Sequence, residues 1–560
     1  MHKTIYTHFP RLEWSQRQWP SKTLTQHPTW CSIDLREGSQ ALPTPMNISR
    51  KLALFHLLVK LGFKEIEVAS PSVSDDEFQF VRLLIEEHLV PKGVTLQVLS
   101  QMKTISIDRT FEALQGCRKA IVHLYNTTSM LRRSDVFEVN PDELVSKAVS
   151  TFRYAKQLAA KMPETEILFE YSPEGFNTTE PALAVRIVNA VIDEVAPTAE
   201  KPLIINLQAT VETDLPNVYA DQIEYLMTQL HSPEHVIIST QPHNDRGCAV
   251  AAAELAQLAG ATRVEGTLLG NGERAGVVDI LTLALNLHTQ GIYSGLEIAD
   301  VNEILDIYEN CTELPIGPRQ PYAGELVFTT FSAPHQFAIH EGLKAYEESG
   351  KTFWHVPYLP MNPEDIGRGR EDIIRLTTQS GRSGLAYVME KFHGYRLPVN
   401  MQKEFSLLVK KLAIQKNKEI TADDAWDIFM HEYLKAKKPF ELKSIYFEKD
   451  KDNSTQLNCN GELLFDGKKY DLSSSGNGVI DTVINYLNKT FHLNLIVDDY
   501  YQHALSHGSD SIAASYIRVI DQSGNSYWGA GIDNDATLAT LRALISAVNR
   551  AVNYGNNEFE

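Results

Sequence analysis

Eight short apolar runs, each followed by a segment with the period of a helix, constrain the fold of this chain more than any other feature. They lie between residue 30 and about residue 285, and each is roughly six residues long and rich in β-forming side chains. In order they are WCSIDL, KEIEVAS, VTLQVLS, KAIVHLY, EILFEYS, PLIINLQ, HVIISTQ and RVEGTLL. Eight β-then-α units in about 255 residues match a (β/α)8 barrel, whose active site lies in the loops after the strands.

An open doubly wound sheet is the main alternative to a barrel. That fold usually has fewer strands and a glycine-rich phosphate turn after the first strand. The segment DLREGSQ, which follows the first run, lacks this glycine spacing. We therefore predict an α/β fold with a TIM-barrel catalytic domain at residues 30–323, preceded by an N-terminal arm at residues 1–29.

The pattern of the chain changes after Tyr322. Long helical stretches joined by Pro-rich connections predict a helical linker subdomain at residues 324–436. A charged, Asn-rich segment, FEKDKDNSTQLNCNGE, then precedes four predicted strands and two predicted helices. These elements indicate a separate α+β domain at residues 437–560. Its predicted strands are GELLFDG, LNLIVDDYYQHAL, AASYIRVID and SYWGAGID, and its predicted helices are GNGVIDTVINYLNKTF and DATLATLRALISAVNRAVNY.

Charge and cysteine content limit the kinds of partner. The formal net charge is -19 and no basic patch is present, which argues against a nucleic-acid partner. The five cysteines are an odd number without CxxC spacing, as expected for reduced thiols in the cytoplasm. The first thirty residues contain no apolar signal core and no run of 18 apolar residues occurs, so we expect a cytoplasmic protein without a membrane partner.

Polar side chains follow every one of the eight predicted strands, at the end where a barrel has its active site. A single strand-end His is more often structural than functional, and a lone Arg-Glu pair is usually a salt bridge. Polar ends on all eight strands are harder to explain in this way, and they predict a functional pocket. Strand by strand they are Asp34, Arg36, Glu37 and Gln40; Glu67; Gln101; His123, Tyr125 and Asn126; Glu170, Ser172 and Glu174; Asn206 and Thr210; Gln241, His243 and Asp245; Asn271, Glu273 and Arg274.

These residue types indicate an oxygen-rich site suited to a 2-oxo acid. The two-pronged guanidinium of Arg36 can clamp a carboxylate. Glu37 and His243 are candidate metal ligands. A metal chelated by the carboxylate and keto oxygen would polarise the carbonyl for attack by a carbon nucleophile. The candidate hydrogen-bonding residues for the substrate are His123, Tyr125 and Thr210.

Long, ordered segments of the chain point to a known family. They are SIDLREGSQALPTPM, KEIEVASPS, VHLYNTTS, FEYSPEGF, PNVYADQIE, PHNDRGCAVAAAELAQLAGATRVEGTLLGNGERAG, GPRQPYAGELVFTTFSAPHQFAI, SSGNGVIDTVINYL, DDYYQHAL and GAGIDNDATLATLRALISAVNRA. Together they resemble the long (type 2) form of 2-isopropylmalate synthase, of the 2-isopropylmalate/homocitrate synthase family. The resemblance implies a homodimer that condenses acetyl-CoA with 3-methyl-2-oxobutanoate in leucine biosynthesis. It also implies that the C-terminal domain is regulatory and binds leucine as a feedback inhibitor.

The resemblance also assigns individual residues. At all seven of the positions that follow, this sequence has the residue type of the family's motif. The catalytic positions correspond to Arg36, Glu174 and His335. The substrate-pocket positions correspond to His123, Tyr125, Ser172 and Thr210.

The metal site departs from the family's pattern. The family's Asp after the arginine is Glu37 here, a residue that homocitrate synthases also use, and the His two before His243 is Gln241. The family's Asn ligand is Val277, which cannot ligate. The amide oxygen of Gln241 can bind a hard cation, but it binds a transition metal more weakly than an imidazole does. The resemblance thus implies a divalent metal, Mg²⁺ first with Mn²⁺ or Zn²⁺ as alternatives, on Glu37 and His243 with weak help from Gln241.

These departures, together with Arg370 in place of a family tyrosine, leave three hypotheses open. The chain is a 2-isopropylmalate synthase-like acyltransferase, or a divergent paralogue that condenses another 2-oxo acid. The third hypothesis is a catalytically silent subunit that contributes the regulatory domain to an active partner.

Overall fold

The computed structural model describes residues 12, 14–130, 133, 140–350, 353–369, 382–416, 422–436, 438–449, 456–505 and 511–554; Arg370 lies outside these ranges. The chain divides into two compact units, Met1–Val327 with Glu364–Arg368, and Phe328–Pro363 with Gly369–Glu560. The finer division into four parts stays a prediction. Within the described ranges, no helix is long and apolar enough to cross a membrane.

The first unit contains a closed barrel of eight parallel strands in sequence order. The first strand pairs with both the second and the eighth, with Trp30 opposite Val264, and this pairing closes the barrel. The predicted TIM barrel is confirmed, and each predicted run contributes one strand. The strands are β1 Thr29–Ser32, β2 Glu65–Ala69, β3 Thr95–Gln101, β4 Lys119–Thr127, β5 Glu166–Glu174, β6 Leu203–Ala209, β7 Val236–Pro242 and β8 Arg263–Gly266.

Helices alternate with the strands and begin and end at residues that cap them. The side chain of Asn47 accepts from the backbone N–H of Arg50 at the start of the first helix, and Gly62, with φ of 100°, ends it. The helices of this unit are α1 Ile48–Leu61, α2 Asp75–Glu86, α3 Thr104–Ala113, α4 Pro141–Ala159, α5 Pro181–Val195, α6 Pro216–Thr228, α7 Ala249–Ala259, α8 Ile280–Thr289 and α9 Val301–Thr312.

A buried cation, Arg263, lies inside the barrel. Its Nη2 donates to Gln97 Oε1 at 2.7 Å and its Nε donates to Glu65 Oε2 at 2.6 Å. Glu265 also pairs with it, and Glu170 Oε2 lies 3.4 Å from its Nη1. A buried charge is tolerated only when partners neutralise it, so these carboxylates belong to the structure of the barrel interior. Charged side chains therefore lie inside the barrel as well as at the strand ends, where the sequence pattern predicted them.

The second unit contains four described helices and two three-stranded antiparallel sheets with two further helices. The sheet orders are β11-β10-β9 and β12-β13-β14. The predicted C-terminal α+β architecture is therefore confirmed. The elements are α10 Ala333–Glu348, α11 Arg382–His393, α12 Val399–Lys416, α13 Ala422–Phe429, β9 Phe440–Lys449, β10 Leu457–Phe465, β11 Lys468–Gly476, α14 Val479–Phe491, β12 Ile496–Ala504, β13 Ala513–Ile520, β14 Ser526–Asp533 and α15 Ala536–Tyr554.

Two strands of this unit, β9 and β11, are absent from the sequence prediction. The sequence of β11, KKYDLSSSG, is polar and ends in a Ser-rich stretch, and only Leu472 of this strand is buried. Backbone pairing with β10, where Leu463 lies opposite Tyr470, holds the strand in place. Pairing across the tight turn at Asp466 and Gly467 can thus impose a strand where the composition of the segment does not predict one.

We expect Gly266→Ala to destabilise the barrel. A Cβ at Gly266 would lie 2.5 Å from the carbonyl oxygen of Val278 and 2.8 Å from its Cγ1. Overpacking of this kind should lower the free energy of unfolding by about 1–3 kcal/mol, measured by urea unfolding. Gly317→Ala is the matched control, because a Cβ there meets no atom within 4 Å. It should change stability by less than about 0.5 kcal/mol, and equal losses in both variants would contradict this packing.

Candidate active site

The chain leaves β1 in a π-helical turn, Asp34–Gly38, that carries two predicted site residues. Such turns are frequent at functional sites. The carboxylate of Asp34 holds the turn by accepting from the backbone N–H of Leu268 at 3.0 Å. Burial raises the pKa of Asp34 to about 6, although its hydrogen bonds act in the opposite direction. The turn is therefore fixed against the end of β8, with the side chains of Arg36 and Glu37 buried at the barrel mouth.

A chain of buried contacts links Arg36 to His123 through Glu67. Arg36 Nε donates to Glu67 Oε1 at 2.5 Å, and its Nη1 donates to Glu37. Glu67 Oε2 contacts Gln97 Nε2 and His123 Nδ1, each at 2.8 Å. Burial acts to raise the pKa of Glu67, but the charge of Arg36 and the His123 contact hold it well below its usual range. Because an ionised carboxylate only accepts, His123 carries its proton on Nδ1.

The other nitrogen of His123 faces the next strand. Its Nε2 lies 2.7 Å from Ser172 Oγ, so the serine hydroxyl donates to it. Tyr125 lies directly opposite Ser172 in the pairing of β4 with β5 and is half-buried. Three of the four predicted substrate-pocket residues therefore lie together on two adjacent strand ends.

The end of β5 brings Glu174 next to Thr210 of β6. Thr127, opposite Glu174 in the sheet, donates its hydroxyl to that carboxylate. Gly175 then turns the chain with φ of 78°, and its backbone N–H donates to Thr210 Oγ1 at 2.9 Å. Because Thr210 Oγ1 accepts this bond, its own proton can be donated to a ligand.

Arg274 connects the loops that follow three strands. Its Nε donates to Asp245 Oδ1 at 2.7 Å and its Nη2 donates to the carbonyl oxygen of Thr210 at 2.5 Å. The backbone of Arg274 has φ of 59°, an uncommon conformation for a residue with a side chain. These contacts place a second positive charge near the barrel mouth, in addition to Arg36.

Three residues inside the barrel, which the sequence did not predict as part of the site, extend the polar network from the strand ends toward the barrel interior. Gln97, Arg263 and Glu265 are fully buried and touch the Glu67 network, and Glu170, which was predicted, lies 3.3 Å from His123 Nε2. Burial and the nearby Glu265 raise the pKa of Glu170 well above its usual value. Alternation of polar and apolar residues, as in the RVEG of β8, was the available signal for an inward-facing polar layer.

One group of three side chains among the described residues could hold a metal ion. Ligand atoms of Glu67, His123 and Glu265 lie within 4.8 Å of one another. Each already has protein partners: Arg36 and Gln97 on Glu67, Ser172 on His123, and Arg263 on Glu265. A divalent metal is thus compatible with the polar residues of this barrel. The side chains best able to hold it are those whose ligand atoms are not already bonded to protein partners.

The predicted ligands Glu37 and His243 face each other. Glu37 Oε1 lies 3.9 Å from His243 Nε2, and both side chains are buried. Two ligand atoms about 2.1 Å from one octahedral Mg²⁺ lie about 3.0 Å apart when adjacent and about 4.2 Å apart when opposite, so a small side-chain adjustment would let this pair share one ion. Burial lowers the pKa of His243, with the Glu37 carboxylate acting in the opposite direction. The imidazole is therefore neutral at pH 7 and has a lone pair for a metal.

The other two positions of the family's ligand set do not add donors here. Gln241 Oε1 accepts from Asn206 Nδ2 at 3.1 Å and from Gln208 Nε2 at 2.9 Å. Its amide oxygen is thus turned toward β6. Val277 pairs with His243 through the backbone, and its side chain is almost completely buried. The donor set that the structure assembles is therefore one carboxylate and one imidazole.

His335 lies in the second unit, whereas the other predicted site residues all lie in the barrel unit. It lies in the first turn of α10 and is half-buried. Its ring stacks on Tyr358, with centroids 3.9 Å apart and planes inclined by 19°. This contact fixes the orientation of the imidazole within its own unit.

A cavity of about 490 Å³ adjoins the barrel mouth. Its walls include Gly270, Gly276, Val277 and Arg274 from the loop after β8, and residues 314–317, 320 and 321 from the segment after α9. Gly276 has φ of 96°, and a Cβ there would lie 2.1 Å from the carbonyl oxygen of Gly270. The close backbone packing that only glycine permits shapes this wall, and the volume is typical of small-ligand sites.

Comparisons with known proteins agree along most of the chain. Three family models match: HMGL-like over residues 27–307, Alpha-isopropylmalate synthase, post-catalytic domain-like, over residues 325–390, and LeuA allosteric (dimerisation) domain over residues 419–552. The 2-isopropylmalate synthase of Rhodospirillum rubrum is 45% identical over 545 residues, covering 97% of this chain and 98% of the relative. That of Parvibaculum lavamentivorans is 46% identical over 549 residues, covering 98% and 96%.

We expect Glu67→Gln to destabilise the barrel unit because it leaves the buried Arg36 with less compensating charge. Removing one partner of a buried ion pair should lower the free energy of unfolding by about 3 kcal/mol, measured by urea unfolding. Glu303→Gln is the matched control, since Glu303 pairs with Lys60 on the surface. Its loss should stay below about 1 kcal/mol. Similar losses in the two variants would show that the Glu67 pair is not the stronger one.

Proposed function

The chain belongs to the 2-isopropylmalate synthase family, and on that premise we propose that it is an acyltransferase condensing acetyl-CoA with a 2-oxo acid. The proposed acceptor is 3-methyl-2-oxobutanoate, which makes the reaction a step of leucine biosynthesis. The observation that carries the proposal is the buried chain from Arg36 through Glu67 to His123, with the strand-end hydroxyls beside it. It offers positive charge and hydrogen-bond donors where an anionic 2-oxo acid would bind.

Arg36 and Thr210 supply the hydrogen-bond donors for the acceptor, whereas the oxygen of Ser172 can only accept, because its proton is donated to His123. Arg36 donates from Nε to Glu67 and from Nη1 to Glu37. Its Nη2 has no acceptor in the described part of the chain, so it can donate to the substrate. Thr210 donates its hydroxyl proton to the substrate carboxylate, because its oxygen already accepts from Gly175. Such donors are fixed before the substrate arrives, so they stabilise developing negative charge without reorganisation.

A divalent ion would be held by Glu37 and His243. When bound, it polarises the keto carbonyl as a Lewis acid and so favours attack by the carbon nucleophile. Mg²⁺ suits this donor set because it keeps several waters and needs only one or two protein carboxylates. Mn²⁺ and Zn²⁺ are the alternatives.

Following the family's motif, we assign a catalytic role to Glu174, and we assign removal of a proton from the acetyl methyl group to His335. One base removes a methyl proton, and the resulting carbanion forms a carbon–carbon bond to the keto carbon while the carbonyl π electrons move to oxygen. The alkoxide then takes up a proton, and water hydrolyses the thioester and releases CoA. The hydroxyl of Thr127 fixes one oxygen of Glu174, and the ring of Tyr358 orients His335. The cavity beside Val277 provides space for the acyl-CoA.

The second unit is proposed to regulate the enzyme. Its match to the LeuA allosteric (dimerisation) domain supports leucine as feedback inhibitor and a homodimer as the assembly. The described cysteines are all free thiols, in keeping with a reducing cytoplasm. We expect added leucine to lower the activity, and we expect sedimentation to give the mass of a dimer.

The silent-subunit hypothesis is retained because of one observation. Gln241 turns its oxygen toward β6 and Val277 has no lone pair, so the family's ligand set is only half supplied. A chain of this kind could contribute a regulatory domain to an active partner without catalysing the reaction itself. The divergent paralogue, which condenses another 2-oxo acid, is supported by the same observation together with the retained Arg36 and Glu174.

CoA release from acetyl-CoA, followed with a thiol reagent, tests these alternatives. With Mg²⁺ and 3-methyl-2-oxobutanoate we expect turnover that a chelator abolishes. Turnover only with other 2-oxo acids would identify the paralogue, and release with none of them would leave the silent subunit.

We expect Arg36→Lys to lower kcat/KM by about 100-fold or more in that assay. A lysine ammonium is a point charge and cannot hold Glu67, Glu37 and substrate in the geometry of the guanidinium. Arg153→Lys is the matched control, since Arg153 makes an exposed pair with Glu194 on the outer helices. It should leave kcat/KM unchanged. An active Arg36→Lys enzyme would remove Arg36 from the catalytic role.

A further inference from the structure

We propose that Arg274 is a positioning residue for the 2-oxo acid: it holds the backbone carbonyl of Thr210 and so directs the Thr210 hydroxyl toward the substrate carboxylate. The inference rests on the proposed function, because it takes Thr210 as a hydrogen-bond donor to the acceptor. It goes beyond that function by giving a role to a loop arginine that acts without touching the substrate.

Thr210 is held at two points just beyond the end of β6. It follows Ala209, the last residue of that strand, and lies outside the ladder of paired strands. Its Oγ1 accepts from the backbone N–H of Gly175 at 2.9 Å, and its carbonyl oxygen accepts from Arg274 Nη2 at 2.5 Å. Threonine has few χ1 rotamers, so fixing its backbone largely fixes the direction of its hydroxyl. The contact with Arg274 therefore controls where the hydroxyl of Thr210 points.

The guanidinium of Arg274 is itself fixed by Asp245. Its Nε donates to Asp245 Oδ1 at 2.7 Å, and its Nη2 donates to Oδ2 at 3.1 Å. A guanidinium is planar, so a carboxylate that accepts from two of its nitrogens fixes its orientation. Asp245 Oδ2 also accepts from the backbone N–H of Glu212 at 2.8 Å. The guanidinium thus joins the loop after β8 to the loops after β6 and β7 in one defined orientation.

The ion pair of Arg274 is better suited to positioning Thr210 than to stabilising the fold. The side chain of Arg274 is 41% exposed, and exposed ion pairs contribute little to the free energy of folding. The loops after β6 and β7 also have a second connection, because Glu212 Oε2 accepts from the backbone N–H of Arg246 at 2.6 Å. Loss of the guanidinium should therefore release the Thr210 carbonyl without detaching its loop.

The backbone of Arg274 has a conformation that most side chains disfavour. Its φ of 59° lies in the left-handed region, which glycine and asparagine adopt at lower cost. Unfavourable backbone conformations at single residues are frequent at functional sites. An arginine at this position therefore fits a role that needs the guanidinium.

Arg274→Asn tests the proposal, because asparagine tolerates the left-handed backbone but is too short to reach Thr210. With Mg²⁺ present, we expect the KM for 3-methyl-2-oxobutanoate to rise by about 10-fold, since a hydrogen bond to a charged group is weakened. The kcat and the KM for acetyl-CoA should change by less than about 2-fold, because this bond is made equally in the ground and transition states. The urea midpoint should stay at the wild-type value.

Titration calorimetry without acetyl-CoA measures binding of the acid directly. The Kd of 3-methyl-2-oxobutanoate should rise by about 10-fold in Arg274→Asn, in parallel with its KM. Arg274→Gly also tolerates the left-handed backbone and gives the same comparison if Arg274→Asn does not fold.

A double-mutant cycle with Thr210→Val tests whether Arg274 acts through the Thr210 hydroxyl. Valine keeps the branched shape of threonine and lacks the hydroxyl. In the Thr210→Val background, Arg274→Asn should weaken acid binding by less than about 2-fold, because the donor that Arg274 directs is absent. A simple attraction between the charge of Arg274 and the anionic acid would persist in that background.

Arg82→Asn is the matched control. Arg82 also joins a carboxylate to a backbone carbonyl: its Nη2 donates to Glu86 Oε1 at 2.7 Å, and its Nη1 donates to the carbonyl oxygen of Ala113 at 3.1 Å. These contacts lie at the C-terminal ends of α2 and α3, at the end of the barrel opposite the active site. The variant should leave the KM and Kd of the acid at their wild-type values.

An unchanged Kd of the acid in Arg274→Asn would overturn the proposal. Equal losses from Arg274→Asn in the wild-type and Thr210→Val backgrounds would also overturn it, as would equal losses in Arg274→Asn and Arg82→Asn. The proposed function fails separately, by the absence of CoA release from the wild type with any 2-oxo acid. In that case the calorimetric Kd values alone decide the inference, and a wild-type protein that binds no 2-oxo acid would reject both.

Discussion

The arrangement of the barrel mouth depends on the buried ion pair between Arg36 and Glu67. A guanidinium at 8% exposure and a carboxylate at 0% are stable there only because each compensates the other and further hydrogen bonds complete both. Glu67 then fixes the protonation of His123, and Arg36 takes up one oxygen of Glu37. One pair thus determines where the substrate donors lie and how much of Glu37 is left for a metal.

The interior network around Arg263 supports that pair from below. Gln97 is the shared residue: its amide nitrogen donates to Glu67 and its carbonyl oxygen accepts from Arg263. The strand ends are therefore connected through hydrogen bonds to charged residues deep in the barrel. A substitution in either layer should alter the hydrogen bonds of the other. This layering also explains why the barrel contains buried carboxylates that do not face the substrate.

Much of the fold could be predicted from the sequence, because the relevant signals are local. Each of the eight apolar runs carries β-forming residues with helical periods between them, and each became one strand of the barrel. The strand-end positions followed from the same pattern, so Arg36, His123 and Ser172 could be placed at one pole in advance. β11 could not, because its pairing with β10 rather than its own polar composition makes it a strand. β9 was missed although its sequence, FELKSIYFEK, contains β-forming residues. Arg263 and Glu265 were missed because the prediction placed polar site residues only at the strand ends, whereas both of these residues lie within β8.

The sequence by itself determined the barrel, the family and the identity of the residues that end each strand, since these depend on periodicity and on ordered motifs. It also showed that Gln241 and Val277 stand where ligands were expected. Only the tertiary structure decided that Glu37 Oε1 and His243 Nε2 face each other and that the amide oxygen of Gln241 is taken by Asn206 and Gln208. The physical reason is that hydrogen-bond acceptors are assigned by competition among side chains distant in sequence, and that competition exists only once the barrel has closed.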